Sequence, residues 1–351
     1  MHVLMVAERL APAIGGVERH VAGLTMELVK RGHEVTLVAP AHARGLPEEE
    51  EVDGAHLLRL PRTGRRGPDY LQAWSWWLGH LGLLKEADVI HFHDVYALFH
   101  WFGPARLLCL DRPFYVTFHG YEMLHPVPLR AKLYRKLASL SVRGSICVGH
   151  YLIRWFRLHP EAVTYGAVTL PEEGPPAAER PAAVFLGRLA RDMSPEIYLQ
   201  GLGALKRDHH LVLPLKVCGD GPLRGEMEQM AKTEGIEAEF LGWVRDPVPH
   251  LRGATIAFAS SYLAMLEAMA RRIPVFAVSG NPVKSDYLRM APGAEAMFKV
   301  ASGPEELAEQ LAGLLSGRDD PEARLERAYW FAAEHSWDRL AQTYIRLWGD
   351  R

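Results

Sequence analysis

The feature that most constrains this chain is an alternation of short apolar strands with amphipathic helices, run twice and interrupted once by a proline-rich segment. The first 40 residues show the unit. His2 to Ala7 is apolar, Gly15-Gly16 makes a turn, and Glu18 to Arg31 carries Val21, Leu24, Thr25 and Leu28 at helical spacing; Gly32 stops the helix and Glu34 to Ala39 is apolar again. A strand, a helix and a second strand in this order form a βαβ unit, which predicts a parallel sheet. Ala87 to His93, Phe114 to His119 and Ser145 to Gly149 add short strands that end in polar or glycine-containing turns.

Leu170 to Pro181 is rich in proline and polar residues and reads as a linker. Beyond it the alternation restarts. Strands are expected at Ala183 to Leu186, Leu215 to Cys218, Glu239 to Leu241, Ile256 to Phe258 and Pro274 to Val278, with helices at Pro195 to Lys206, Leu223 to Glu234 and Tyr262 to Ala270. Helices at Pro304 to Leu315 and Pro321 to Glu334 follow, then a tryptophan-bearing tail from Ser336 to Trp348. The expectation is an α/β protein with one domain over 1–170, a linker over 171–181, a second domain over 182–334 and a terminal helix over 335–351. A length of 351 residues fits two domains of ordinary size.

Charge and cysteine content remove several functional classes. Forty Lys and Arg against 42 Asp and Glu leave a formal charge of −2, so nothing draws the whole chain to nucleic acid, and any anion site must be local. Three cysteines, Cys109, Cys147 and Cys218, lie far apart and suggest neither a disulfide framework nor a thiolate zinc site. The apolar start meets Glu8 and Arg9 at once, too soon for a signal peptide, and no apolar run is long enough to span a membrane. A cytoplasmic location is expected.

Several motifs could carry chemistry. Gly15-Gly16 follows the first strand and opens a helix, where backbone N–H groups can receive a phosphate; a plain tight turn is the alternative. His119, in Thr117-Phe118-His119-Gly120, ends a strand where ligands of open parallel sheets bind, and can donate to a sugar hydroxyl or to developing negative charge; a histidine satisfied within its loop is the alternative. His91-Phe92-His93-Asp94 looks like a metal cluster, but His91 and His93 on one strand face lack a further ligand and a metal-free loop is favoured. Gly187-Arg188 closes the first strand of the second half, a place suited to bidentate phosphate contact; a surface arginine on a turn is the alternative. Gly219 and Gly221 in Gly219-Asp220-Gly221-Pro222 allow close backbone approach to a ligand or make a turn. In Leu266-Glu267-Ala268, Glu267 falls on an apolar helix and needs a partner, either a ribose diol or a structural arginine. Trp74, Trp76 and Trp77 beside Arg62, Arg65 and Arg66, and the basic amphipathic stretch Leu129 to Arg143 with Arg130, Lys132, Arg135 and Lys136, resemble interfacial membrane surfaces or else solvated faces over core tryptophans.

The order and spacing of these motifs resemble the retaining nucleotide-sugar glycosyltransferases of family 4. The resemblance runs through Gly-Gly-Val-Glu-Arg-His at 15–20, Thr-Phe-His-Gly at 117–120, Phe-Leu-Gly-Arg-Leu at 185–189, Val-Cys-Gly-Asp-Gly-Pro at 217–222, Phe-Leu-Gly-Trp-Val at 240–244, Leu-Glu-Ala-Met-Ala at 266–270 and Ser-Trp-Asp-Arg-Leu at 336–340. It implies the GT-B fold, two facing Rossmann-like domains with a C-terminal helix that crosses back to the first. It also implies that Gly15 and Gly16 approach the donor phosphates or sugar and that His119 bonds the donor sugar. Gly187 and Arg188 would bind the diphosphate, Gly219, Gly221 and Gly242 would border the nucleotide, and Leu266 with Glu267 would hold the ribose. The implied reaction moves a hexose from a nucleoside diphosphate sugar to a sugar or lipid-linked acceptor with retention. The leaving phosphate acts as base, domain closure excludes water, and no metal or other cofactor is required. Peripheral contact with the inner membrane face is a further expectation.

The chain departs from the family pattern twice. Relatives carry a lysine where this sequence has Met193, and a glutamate in a glycine-rich loop where Ala259 runs through Ser260-Ser261 straight into Tyr262. Asn281-Pro282-Val283-Lys284 after the next strand would bring Lys284 to the gap, and the N-terminus of the Tyr262 helix would still face a phosphate. The same departures allow a catalytically impaired protein that binds nucleotide or sugar in a regulatory role.

Overall fold

A computed structural model describes residues 1–109, 111–121, 124–172 and 181–349. The chain divides into two units, one of residues 1–121, 127–164 and 337–351 and one of residues 122–126 and 165–336. Most of the linker expected at 171–181 lies outside the described residues.

Among the described residues, the first unit holds an eight-stranded sheet, formed by β1 (His2–Val6), β2 (Glu34–Pro40), β3 (Glu49–Val52), β4 (Ala55–Leu60), β5 (Val89–His93), β6 (Phe114–Phe118), β7 (Gly144–Val148) and β8 (Ala162–Thr164). Their order is β3-β4-β2-β1-β5-β6-β7-β8, and every pairing except β3 with β4 is parallel. The strands β5, β6 and β7 are buried along their whole length, as strands covered on both faces must be. Chain order reverses at β1, whose neighbours are β2 and β5, so the carboxyl ends of β1 and β5 flank a topological switch point. The β3–β4 hairpin was not anticipated. Its turn is Asp53-Gly54, with φ of 54° and 80°, the mirror-image turn that joins twisted strands well. The run Glu49-Glu50-Glu51 hides the alternation that would mark β3.

The terminal helix Trp337–Gly349 belongs to the first unit, in keeping with a crossover helix. It packs on the helix Gly16–Lys30, where the bare Gly23 lets the Trp337 ring lie against the backbone; a methyl there would collide with the indole. Arg31 and Asp338 form an ion pair at the same contact.

The second unit holds, among the described residues, a six-stranded parallel sheet of β9 (Ala183–Leu186), β10 (Leu215–Cys218), β11 (Ala238–Gly242), β12 (Ile256–Phe258), β13 (Val275–Val278) and β14 (Lys299–Ala301), ordered β11-β10-β9-β12-β13-β14. Here the order reverses at β9. Phe185, Tyr198, Leu202, Phe258, Phe276 and Leu307 join one apolar core between the sheet and its helices. Both units are thus Rossmann-like, and together they fit the GT-B fold.

Candidate functional site

The carboxyl end of the first sheet carries four histidines. His91 and His93 stand on β5, His119 follows β6, and His20 lies one turn into the helix that Gly16 opens. His93 Nδ1 and His119 Nε2 are 2.8 Å apart, and the His20 ring meets His119 edge to face with centroids 4.6 Å apart. Asp94, just beyond β5, has a left-handed backbone (φ 73°), uncommon for a residue with a side chain, and its carboxylate accepts the His119 backbone N–H at 3.2 Å. His93 Nε2 is buried with no hydrogen-bond partner among the described residues.

The terminal helix completes this cluster. Trp348 Nε1–H donates to His91 Nδ1 (3.1 Å), and an indole nitrogen can only donate, so neutral His91 carries its proton on Nε2. That proton goes to Thr117 Oγ1 (2.8 Å), leaving the Thr117 hydroxyl free to donate to Tyr344 (2.7 Å) and Tyr344 to His20 Nε2 (2.9 Å). Burial pushes the His20 and His91 imidazoles down to about 3 and holds those of His93 and His119 well below the ordinary histidine range, where the neighbouring histidines add to the effect. All four rings are therefore neutral at pH 7. They can exchange hydrogen bonds with hydroxyls but supply no cation for a phosphate.

Gly16 begins the helix Gly16–Lys30 after an extended Gly15. A Cβ built on Gly16 meets nothing within 4 Å, so the fold itself does not demand a glycine there.

The carboxyl end of the second sheet is cationic instead. Arg188, just after β9, is half exposed and its Nη2 bonds Asp192 Oδ2 at 2.6 Å. Lys284 is buried in the first turn of the helix Pro282–Arg289, whose Asn281 cap accepts the Lys284 backbone N–H at 3.0 Å. Its ammonium donates to the Ser260 carbonyl, lies 3.8 Å from Met193 Sδ and sits 4.5 Å from the centre of the Tyr287 ring. Burial pushes it down to about 8; Asp192 opposes the shift and Arg188 adds to it. The structure therefore brings Lys284 both to Met193 and to the shortened run before Tyr262, the gap to which the sequence assigned it.

The remaining expected residues divide by what holds them. A methyl on Gly219 would collide with the Gly187 carbonyl and one on Gly221 with the Leu189 carbonyl, while Gly242 has φ 71° and bridges Gly219. Close approach of three loop backbones accounts for these glycines without a ligand. The Leu266 side chain is buried in the core. Glu267 Oε2 is 2.9 Å from Arg271 Nη1, which makes Arg271 the structural arginine weighed as its partner. The helix Tyr262–Met269 does not offer its first N–H to a phosphate as expected, because Tyr262 N–H donates to the Tyr287 hydroxyl (2.9 Å) and the two rings stack 4.0 Å apart. Trp77 is fully buried with its N–H on the Trp101 carbonyl, and Trp74 donates to the His100 carbonyl, so these tryptophans pack the unit rather than face a lipid. Sequence reasoning missed the roles of His20, Tyr344 and Trp348. The available signal was the four-residue spacing that places Tyr344 and Trp348 on one face of the last helix.

Two α/β units, each with polar groups at the switch point of a largely parallel sheet, define a doubly wound architecture of the GT-B kind. The family described as Glycosyltransferase Family 4 matches residues 14–162, and the one described as Glycosyl transferases group 1 matches residues 180–317. The chain belongs to this glycosyltransferase group. It is 30% identical over 131 residues to an uncharacterized glycosyltransferase, MJ1607, of Methanocaldococcus jannaschii, covering 35% of this chain and 32% of that one. It is 29% identical over 181 residues to a D-inositol 3-phosphate glycosyltransferase of Corynebacterium urealyticum, covering 47% and 42%. The matched parts are thus less than half of either curated relative. In fold it is similar to sucrose-phosphate synthase from Thermosynechococcus elongatus (TM-score 0.74, 17% identity, 99% and 98% of the two chains) and to Anabaena Alr3699/HepE in complex with UDP and glucose (TM-score 0.71, 14% identity, 99% and 98%).

Proposed function

We propose that this chain transfers a hexose from a nucleoside diphosphate sugar to a hydroxyl of a sugar or lipid-linked acceptor, with retention of configuration. The observation that carries this reading is Lys284, a buried ammonium placed against Met193 and Ser260 within the electrostatic reach of Arg188. Burying a cation is costly, and an anion as a regular occupant offsets that cost. In this reading Arg188 and Lys284 receive the diphosphate as its bond to the anomeric carbon breaks. The acceptor oxygen bonds that carbon on the same face and passes its proton to the departing phosphate oxygen. The two cations stabilise the charge that develops, so no metal ion is required. The neutral ring of His119 and the unpartnered Nε2 of His93 suit sugar hydroxyls, and the open Gly16 suits close backbone approach by a ligand. A lipid-linked acceptor would bring the protein to the inner face of a membrane.

A second reading, nucleotide binding without turnover, is favoured by the stacked Tyr262–Tyr287 pair beside the place where relatives carry a sugar-binding glutamate. A thermal-shift screen of nucleoside diphosphate sugars, followed by NMR of the product anomer, separates the two. Donor at about 100 times its dissociation constant should stabilise by about 2.7 kcal/mol. Arg188→Ala should remove that shift and lower transfer roughly 100-fold, the loss of a charge-assisted contact worth up to about 3 kcal/mol. Stabilisation without release or transfer of sugar across many acceptors would establish the binding role instead.

A further inference from the structure

The helix Leu129–Leu140 of the first unit has its polarity inverted. It buries an arginine: Arg135 Nη2 donates to the Gly120 carbonyl at 2.7 Å, and the guanidinium lies 4.5 Å from the centre of the Phe156 ring and 5.3 Å from that of Tyr121. Outward it shows leucines, with Leu129 82%, Leu133 55%, Leu137 45% and Leu140 71% exposed. At about 100° per residue these four fall within an arc of roughly 80°, opposite the face that carries Arg135 and Ala138. The stripe is continuous, whereas the exposed large apolar residues of the second unit among those described, Leu124, Val212, Trp243 and Trp330, come from separate segments. Single exposed leucines need no explanation, but a stripe of four along one helix does.

Arg130 stands on one side of the stripe, Lys132 and Lys136 on the other, all exposed. The helix holds no Asp or Glu, although the whole chain is slightly acidic. A second copy of the helix would set these cations against their own kind. A layer of anionic headgroups over hydrocarbon matches both features, because the leucines can enter the acyl boundary while the long basic side chains reach back to the phosphates. No described helix is long and apolar enough to cross a membrane, so the contact would lie on the surface. We infer that the helix Leu129–Leu140 docks this protein on an anionic lipid surface, with Leu129, Leu133, Leu137 and Leu140 inserted and Arg130, Lys132 and Lys136 on the headgroups. The inference stands apart from the transfer reaction, since none of these residues belongs to either sheet end.

Co-sedimentation of the full chain with vesicles of phosphatidylcholine, alone or mixed with phosphatidylglycerol, tests it. The wild type should pellet with the mixed vesicles and bind the neutral ones roughly 100-fold more weakly, with the difference shrinking at high salt. Leu133→Gln with Leu137→Gln should abolish pelleting, and Lys132→Gln with Lys136→Gln should weaken it at least about tenfold. Both double variants should keep the wild-type melting temperature, because the replaced side chains are exposed. Equal binding to the two vesicle types, or pelleting that survives the leucine variant, would overturn the inference. So would a concentration-dependent dimer, without vesicle binding, that the leucine variant dissolves.

Discussion

The two units solve one problem with opposite chemistry. Each ends a parallel sheet at a switch point, but every buried histidine among the described residues lies in the first unit and the buried lysine lies in the second. The first gathers neutral rings and hydroxyls into a hydrogen-bond chain anchored by the terminal helix. The second keeps a desolvated ammonium beside an arginine over an otherwise apolar core. Burial that strips protons from histidines leaves Lys284 still mostly charged at pH 7, because its ordinary range starts several pH units higher. One fold can therefore offer a neutral surface for hydroxyls and a positive one for phosphates through the choice of residue alone.

Acid should break the comparison most forcibly. His20 and His91 have folded values near 3 against 6.5 in the unfolded chain. Below pH 6.5 the unfolded chain takes up protons that the folded one refuses, so stability present above that pH is lost as pH falls toward 3. At pH 5 the loss is on the order of 2 kcal/mol per ring. Hydrogen exchange at pH 7 and pH 5 should show the first unit losing protection before the second; equal loss in both would refute the assignment. Next in size, Glu267→Ala leaves Arg271 buried without its carboxylate and should cost about 3 kcal/mol in urea unfolding, whether or not Glu267 also meets a ribose.

Smaller effects sharpen the contrast. If Lys284 holds the diphosphate, donor affinity should fall up to about tenfold from pH 7 to pH 9 as the ammonium loses its proton. Titration calorimetry should show that slope vanish in Lys284→Met. Trp348→Phe removes the donor that sets the proton on His91 and should cost about 1 kcal/mol. The informative readout is nitrogen NMR, in which the His91 tautomer preference should relax; an unchanged spectrum would mean that the indole does not direct the chain. Gly16→Ala should leave stability within about 0.5 kcal/mol, since nothing lies within reach of the new methyl, while lowering donor or acceptor affinity.

Much of the fold was legible because strands buried on both faces, followed by glycine turns and amphipathic helices, leave few alternatives. β9, β10 and β12 fall where their apolar runs predict, and the helix Pro304–Leu315 matches its expected bounds. The β3–β4 hairpin escaped because four consecutive glutamates at 48–51, three of them in β3, obscure its alternation even though Asp53-Gly54 marks its turn. At the candidate site, His119 and Arg188 could be singled out by their place just past a strand, and Gly16 by the helix it opens after the first strand. Whether a glycine there serves a ligand or a neighbouring backbone could not be read. Gly16 proves open and Gly219 proves packed, a distinction set by the Gly187 carbonyl thirty-odd residues away.

By itself the sequence determined the two α/β halves, the glycosyltransferase kinship and the absence of a bulk charge that would seek nucleic acid, because periodicity, motif order and composition are properties of the chain as written. The tertiary structure decided which groups act together. It set Lys284 against Met193 across 91 positions and Trp348 against His91 across 257, and it turned the leucines of Leu129–Leu140 outward. Such partnerships depend on how strands are ordered and which helix face is covered, and local spacing carries no record of either.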